Sequence, residues 1–473
     1  MLRRVNYFVL GLLGTSLISA ITVPFLAWFY SPDALGRFSF FLLTVNFAVQ
    51  IGALGLDQGY VREYHVSENK PQLLLQSVVP SVFLFSVLLF ALAEFSLFAD
   101  FAQLVVSESV SVLGALIFLA YAFSVAHRFA TVSYRVRSLG FLFCITLISV
   151  KLVFLACAYL SHLFQWQESF SLYGSYLASL VVPTVVLSFV WAFKSFKEAS
   201  KKINRLSFFG LINWGLLKYS LPLLFGALAF WGVKFSGHIG LRFFQSFEEL
   251  AFYSVGISIA AGLGLFSSIF NTMWFPFLFK ADAAGKSDRA LGAGLSLTLG
   301  FLFFGVGISG VAASLIVKLL PEAFGKVEFF LPILVLSSLL YTLSEVSGSG
   351  IALSKRTAYG FYAGLCASLF AISSALVLCD RFGAVGAAVS YGFGYFVFFV
   401  CRTEFGRRLR PSESVFITYF SVGVCTVYAG LCASPNLAGT AIPTYAGLVF
   451  VALALWLFLK SSVQLKELRR TLR

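Results

Sequence analysis

The chain has 473 residues, 59% of them hydrophobic and only 11% charged, with a formal net charge of +14. Soluble domains run near ~45–50% apolar and ~25% charged, so water is excluded as the main solvent of this surface. The basic excess calls for no nucleic acid, because lysines and arginines facing anionic lipid headgroups account for it.

A helix must cover roughly 30 Å of hydrocarbon at ~1.5 Å per residue, which sets a requirement of about 20 apolar residues per span. In chain order the runs that meet it are 6–30, 38–56, 73–98, 109–126, 139–160, 169–192, 219–241, 249–271, 291–317, 329–350, 359–379, 383–401, 413–433 and 440–459. The first follows Arg3 and Arg4 but exceeds the ~7–15 apolar residues of a signal peptide, so it reads as a span. The composition therefore predicts an all-α polytopic membrane protein of about 14 transmembrane helices. With the N-terminus inside, most of the 34 basic residues fall in cytoplasmic segments, and the outer loops hold only Arg37, Arg242, Lys326 and Arg381. That asymmetry puts both termini in the cytoplasm.

The longest cytoplasmic connection divides the chain. Lys194, Lys197, Lys201 and Arg205 recur at helical spacing ahead of Phe208, Phe209, Leu211, Ile212 and Trp214, the pattern of a basic amphipathic segment on a membrane surface. The predicted organisation is a six-helix lobe over 1–192, a linker over 193–218, a second six-helix lobe over 219–401, and helices 13 and 14 with a basic tail over 402–473. The lobes echo each other. Ser31-Pro32-Asp33-Ala34-Leu35-Gly36-Arg37-Phe38-Ser39 aligns with Ser246-Phe247-Glu248-Glu249-Leu250-Ala251-Phe252-Tyr253-Ser254 at an offset of 215, and Tyr134–Ser138 resembles Ser354–Ala358. Parallel repeats of this kind are a transporter signature, with the substrate between the halves.

Three local stretches carry a family resemblance: Gly55-Leu56-Asp57-Gln58-Gly59-Tyr60-Val61-Arg62-Glu63-Tyr64, Ser354-Lys355-Arg356-Thr357, and Phe382-Gly383-Ala384-Val385-Gly386-Ala387-Ala388. With the six, six and two arrangement, the whole chain resembles the lipid-linked oligosaccharide flippases, the O-antigen and polysaccharide transporters of the multidrug/oligosaccharidyl-lipid/polysaccharide exporter superfamily. The resemblance implies two lobes in a V around a cationic cavity. It further implies a bacterial inner-membrane protein that moves undecaprenyl-diphosphate-linked repeat units to the outer leaflet by alternating access. The implied partners are that lipid-linked sugar, the surrounding lipids, a proton or sodium counter-ion and a polysaccharide polymerase. A multidrug or lipid-linked peptidoglycan precursor exporter of the same superfamily stays open as an alternative. A membrane polymerase or ligase fits less well, because such enzymes carry a large outer loop and the outer loops here are short; no enzymatic activity is expected.

Lys151 and Lys234 lie near mid-bilayer, where a charge costs ~2.5–3.5 kcal/mol on insertion scales and so faces a cavity, a partner or water. One lysine per lobe suits a diphosphate. Trp231, Lys234 and His238 share a helical face, and the repeat offset sets Lys234 against Ser19, within a polar face of Thr15, Ser19 and Thr22. Glu345, near the inner end of helix 10, is placed to couple an ion by alternating between a basic partner and water. Asp57 and Arg62 bracket the inner end of helix 2, where their salt bridge would gate the cytoplasmic mouth and Arg62 would meet arriving phosphates. His65, His127, His162 and His238 are scattered without metal spacing, the seven cysteines read as small core residues, and no cofactor is expected. Gly305-Val306-Gly307-Ile308-Ser309-Gly310 matches GxGxxG but lies inside an apolar run with no strand before it, so it reads as helix packing.

Overall fold

The computed structural model describes residues 2–64, 66–199, 212–356, 358–410, 415–434 and 441–472. The N-terminal elements are α1 (Leu2–Leu26), α2 (Pro32–Gly52), α3 (Leu56–Glu63), α4 (Lys70–Glu94), α5 (Phe98–Val106), α6 (Ser111–Val136), α7 (Gly140–Leu163) and α8 (Glu168–Ala199). They are followed by α9 (Trp214–Phe244), α10 (Phe247–Ala283), α11 (Ser287–Val317), α12 (Val327–Ser347), the short α13 (Ser349–Leu353), α14 (Ala358–Leu409), α15 (Val415–Cys432) and α16 (Ala441–Leu472). The linker residues Lys201 to Leu211, and His65, lie outside the described residues.

Among the described residues, 11 helices are long and apolar enough to cross a membrane. One of these is α14, whose 52 residues break at Gly383 into two passes. With α10 and the shorter apolar α15, the fourteen spans expected from the sequence are all present as helices. Every backbone polar group of a span must be satisfied without water, and the helix does this within the segment.

Two compact units result, one of Met1–Thr22 and Phe29–Leu228, the other of Val23–Trp28 and Ala229–Arg473. In unit 1, Phe38 and Phe41 are almost fully buried and meet Phe154, Tyr173 and Tyr176 ring to ring. A second cluster joins Leu56, Tyr60, Tyr64, Leu73, Val125, Phe129, Val132 and Leu216. In unit 2 the central element is α12, buried along nearly its whole length because nearly every position is apolar or small. The GxGxxG stretch lies within α11, where Gly307 packs on the backbone of Gly447 and Gly310 on the Tyr428 ring, so its glycines serve close helix contact.

The internal repeat is visible in the caps. Ser31 and Ser246 are the N-caps of α2 and α10, each accepting from the backbone N–H three residues on, at Ala34 and Glu249. Ser138 and Lys355 both adopt positive φ and end α6 and α13, with Leu139 donating to Tyr134 and Arg356 to Ile351 across the turn. The second echo therefore aligns Ser138 with Lys355, not with Ala358.

Two boundaries differ from the sequence reading. The stretch from Leu56 is not the close of helix 2: α2 ends at Gly52, the chain turns through Leu54 and Gly55 at positive φ, and α3 starts afresh. A Cβ on Gly55 would strike the carbonyl oxygen of Ser220, so both its φ of 68° and its close approach require glycine. The two predicted spans 359–379 and 383–401 follow each other without a loop, joined by a kink at Gly383 (φ 52°, ψ −131°), where the backbone departs from helical geometry.

Candidate functional site

Unit 1 gathers a basic cluster where α6 passes α3 and α7. Asp57, 6% exposed at the start of α3, receives two bonds on one carboxylate oxygen from Arg128 of α6, at 3.0 Å from Nε and 2.7 Å from Nη2. Burial of that carboxylate demands such a partner. The expected Asp57–Arg62 bridge does not form. Arg62 sits five residues further along α3 and turns the other way, its guanidinium 3.9 Å above the Tyr219 ring and 3.7 Å from Glu63. The helix period separates Asp57 from Arg62 by more than a quarter turn, which spacing in a linear reading of the stretch conceals.

Beside this pair, His127 shares a hydrogen bond of 3.0 Å with Thr184 of α8, and it feels the charge of Lys151 from α7. Lys151 is half-buried and forms no ion pair or hydrogen bond among the described residues. Arg128 and Lys151 thus both lie close to the buried His127 imidazole in unit 1, and the Asp57 carboxylate is already engaged by Arg128. Ser19 is half-buried on α1, where Thr15 and Thr22 turn their hydroxyls back to the carbonyls of Gly11 and Ile18.

In unit 2, Lys234 is exposed on α9 and likewise forms no ion pair or hydrogen bond among the described residues. Its predicted companions divide. His238 is buried with its ring 5.0 Å from Tyr253 of α10, whereas Trp231 is half-buried and packs on Phe235 at 5.1 Å. Lys234 and His238 share a helical face one turn apart, and α10 covers the turn that carries the histidine.

Glu345 is 7% exposed, and Arg402 of α14 donates to both of its carboxylate oxygens. The basic partner that the sequence reading left unnamed is thus Arg402, which lies within the second pass of α14 and not in a loop. Two groupings of polar side chains escaped the sequence reading: Arg128 and His127 on α6, and the run Tyr391, Tyr395 and Arg402 on α14. The second was legible in principle, since i, i+4 and i+11 fall on one helical stripe.

The turn of α14 at Gly383 is clamped by residues from the α9–α10 junction and α10. Gln245 donates to the carbonyls of Cys379 and Asp380 at 3.1 and 3.0 Å, and Glu249 accepts the Ala384 N–H at 2.9 Å while pairing with Lys326 at 2.8 Å. The helix ends freed at Gly383 are thereby satisfied on both sides.

No protein-family model matches the chain, and no curated protein matches it in sequence. Solved structures do. A lipid II flippase, MurJ, in an inward closed conformation superposes with a TM-score of 0.69 at 12% identity, covering 98% of this chain and 99% of that one. An outward-facing multidrug resistance MATE family transporter of the MOP superfamily superposes with a TM-score of 0.51 at 13% identity, covering 90% and 97%. Over almost its whole length, then, the chain has the polytopic all-α fold of these solved structures.

Proposed function

We propose that the protein is a flippase that moves diphosphate-linked oligosaccharide lipids from the cytoplasmic to the outer leaflet of a bacterial inner membrane by alternating access. The observation that carries this reading is the pair of intramembrane lysines, Lys151 in unit 1 and Lys234 in unit 2, neither of which has a carboxylate partner among the described residues. An ammonium left unneutralised at that depth is costly unless an anion or water meets it during the cycle. A diphosphate supplies the anion, and Arg62 and Arg128, exposed in unit 1, supply first contacts for it. Glu345 and Asp57 couple or gate the cycle through their arginine partners. His238, Trp231 and Ser19 contribute the polar and aromatic surface that sugars pass.

The likeness to a lipid II flippase favours a second cargo, a lipid-linked peptidoglycan precursor, which presents the same diphosphate. One experiment separates the cargoes. In a strain lacking the protein, lipid-linked intermediates are extracted and their leaflet is assigned by accessibility to a membrane-impermeant sugar-oxidising reagent. Inner-leaflet accumulation of polysaccharide repeat units supports the first reading, accumulation of the peptidoglycan precursor the second. Accumulation of neither overturns both.

A further inference from the structure

Two polar atoms deep in unit 2 have no hydrogen-bond partner: Nδ1 of His238 and Oη of Tyr253. Their residues are 8% and 0% exposed, and burying such groups unsatisfied is unfavourable unless they serve another purpose. They also begin a series. The Tyr253 ring lies 6.5 Å from Tyr391, and the Tyr391 hydroxyl donates to that of Tyr395 at 3.3 Å. Tyr395 in turn lies 6.3 Å from the Tyr341 ring of α12. Tyr341 stands one helical turn from Glu345, whose carboxylate is held by Arg402.

The chemistry of the series selects its cargo. Hard metal cations are held by several carboxylate and carbonyl oxygens, whereas imidazole and phenol are groups that exchange protons. The titratable groups around Tyr253 are Tyr391 and Cys379 from α14, and on α9 itself Lys234 and Arg242 stand one turn before and one turn after His238, whose ring approaches the Lys234 backbone. Neither His238 nor Tyr253 makes an ion pair or hydrogen bond with a carboxylate among the described residues. Around Glu345 the corresponding groups are Arg402 and Tyr341.

We propose that unit 2 contains a proton relay running from His238 through the tyrosines to Glu345, with Arg402 as the counter-ion that is released when the carboxylate is protonated. A proton leaves the imidazolium for a phenol oxygen while that phenol passes its own hydroxyl proton onward, and the last hydroxyl proton goes to the Glu345 carboxylate. Imidazolium becomes imidazole, carboxylate becomes carboxylic acid, and every phenol is restored. Steps between rings whose hydroxyls do not touch take an intervening water. The inference rests on the transporter reading and is independent of which lipid is carried.

The test uses the full chain in lipid nanodiscs, with ring-15N histidine and no cargo, so that failure of the cargo reading leaves its result intact. The chain has four histidines, and His238→Gln assigns the resonance of interest. His238 is expected to titrate, Glu345→Gln to move its midpoint by about half a pH unit, roughly threefold in proton affinity, and Tyr395→Phe to abolish that displacement. A His238 that does not titrate, a midpoint indifferent to Glu345→Gln, or a displacement that survives Tyr395→Phe each overturns the relay. The last outcome shows the two ends sensing each other through space. If Glu345→Gln alone does not reach the membrane, the double variant Glu345→Gln/Arg402→Gln carries the same comparison.

Discussion

Arg402 of α14 and Glu345 of α12 form a two-pronged ion pair inside unit 2, with Nη2 donating to Oε2 at 3.1 Å and Nη1 to Oε1, and the two side chains are 13% and 9% exposed. Removing one partner of such a pair costs about 3–5 kcal/mol, whereas removing both is close to neutral. Arg402→Met is therefore expected to lower the thermal stability of the purified protein sharply, and Glu345→Gln/Arg402→Met to recover most of the loss. Size-exclusion profiles after graded heating give the comparison; a single variant as stable as the double would contradict the pairing.

The Asp57–Arg128 pair behaves differently because Arg128 is 44% exposed while Asp57 is 8% exposed in its side chain. Arg128→Gln should cost about 1.5–3 kcal/mol, since the charged hydrogen bonds are lost and the carboxylate is left buried. Arg62→Ala should cost under about 1 kcal/mol, the worth of an exposed cation stacked on Tyr219. The same heating series ranks them, and an Arg62 effect as large as that of Arg128 would restore the Asp57–Arg62 bridge that the structure replaces.

Lys151→Ala and Lys234→Ala are expected to reach the membrane at normal levels, since each removes an unpaired charge from an apolar helix. Translocation of the diphosphate lipid should fall by at least roughly tenfold in each, equivalent to about 1.4 kcal/mol of lost interaction. Flux is measured in proteoliposomes with a fluorescent diphosphate lipid and an impermeant quencher. Unaltered flux in both variants would remove the lysines from the path.

Gly383 combines a φ of 52° with a ψ of −131°, and a Cβ there would lie 2.6 Å from a carboxylate oxygen of Glu249. Gly383→Ala should therefore strain the turn by about 1–3 kcal/mol and disturb the Glu249 cap on Ala384. A fall of a few degrees in Tm is expected, and a Tm equal to that of the natural chain would show that the turn relaxes freely.

Much of this protein is legible in a linear reading. Twenty or so apolar residues in a row have one stable outcome in a bilayer, so the spans, the all-α class and the isolation of Lys151 and Lys234 in apolar surroundings follow from composition and length alone. The repeat was visible too, because an N-cap serine such as Ser31 or Ser246 is a local requirement written at a local position. Partnerships were not. Asp57 chooses Arg128, 71 residues away, over Arg62 nearby, and Glu345 finds Arg402 at a separation of 57. The apolar positions of α12 run all around the helix in sequence, so nothing local says which helix it meets or that Tyr341 will stand beside Tyr395. Sequence determined which segments leave water, since that depends on each segment's own transfer free energy. Tertiary structure alone decided which buried charges neutralise each other, because that depends on which helix faces meet.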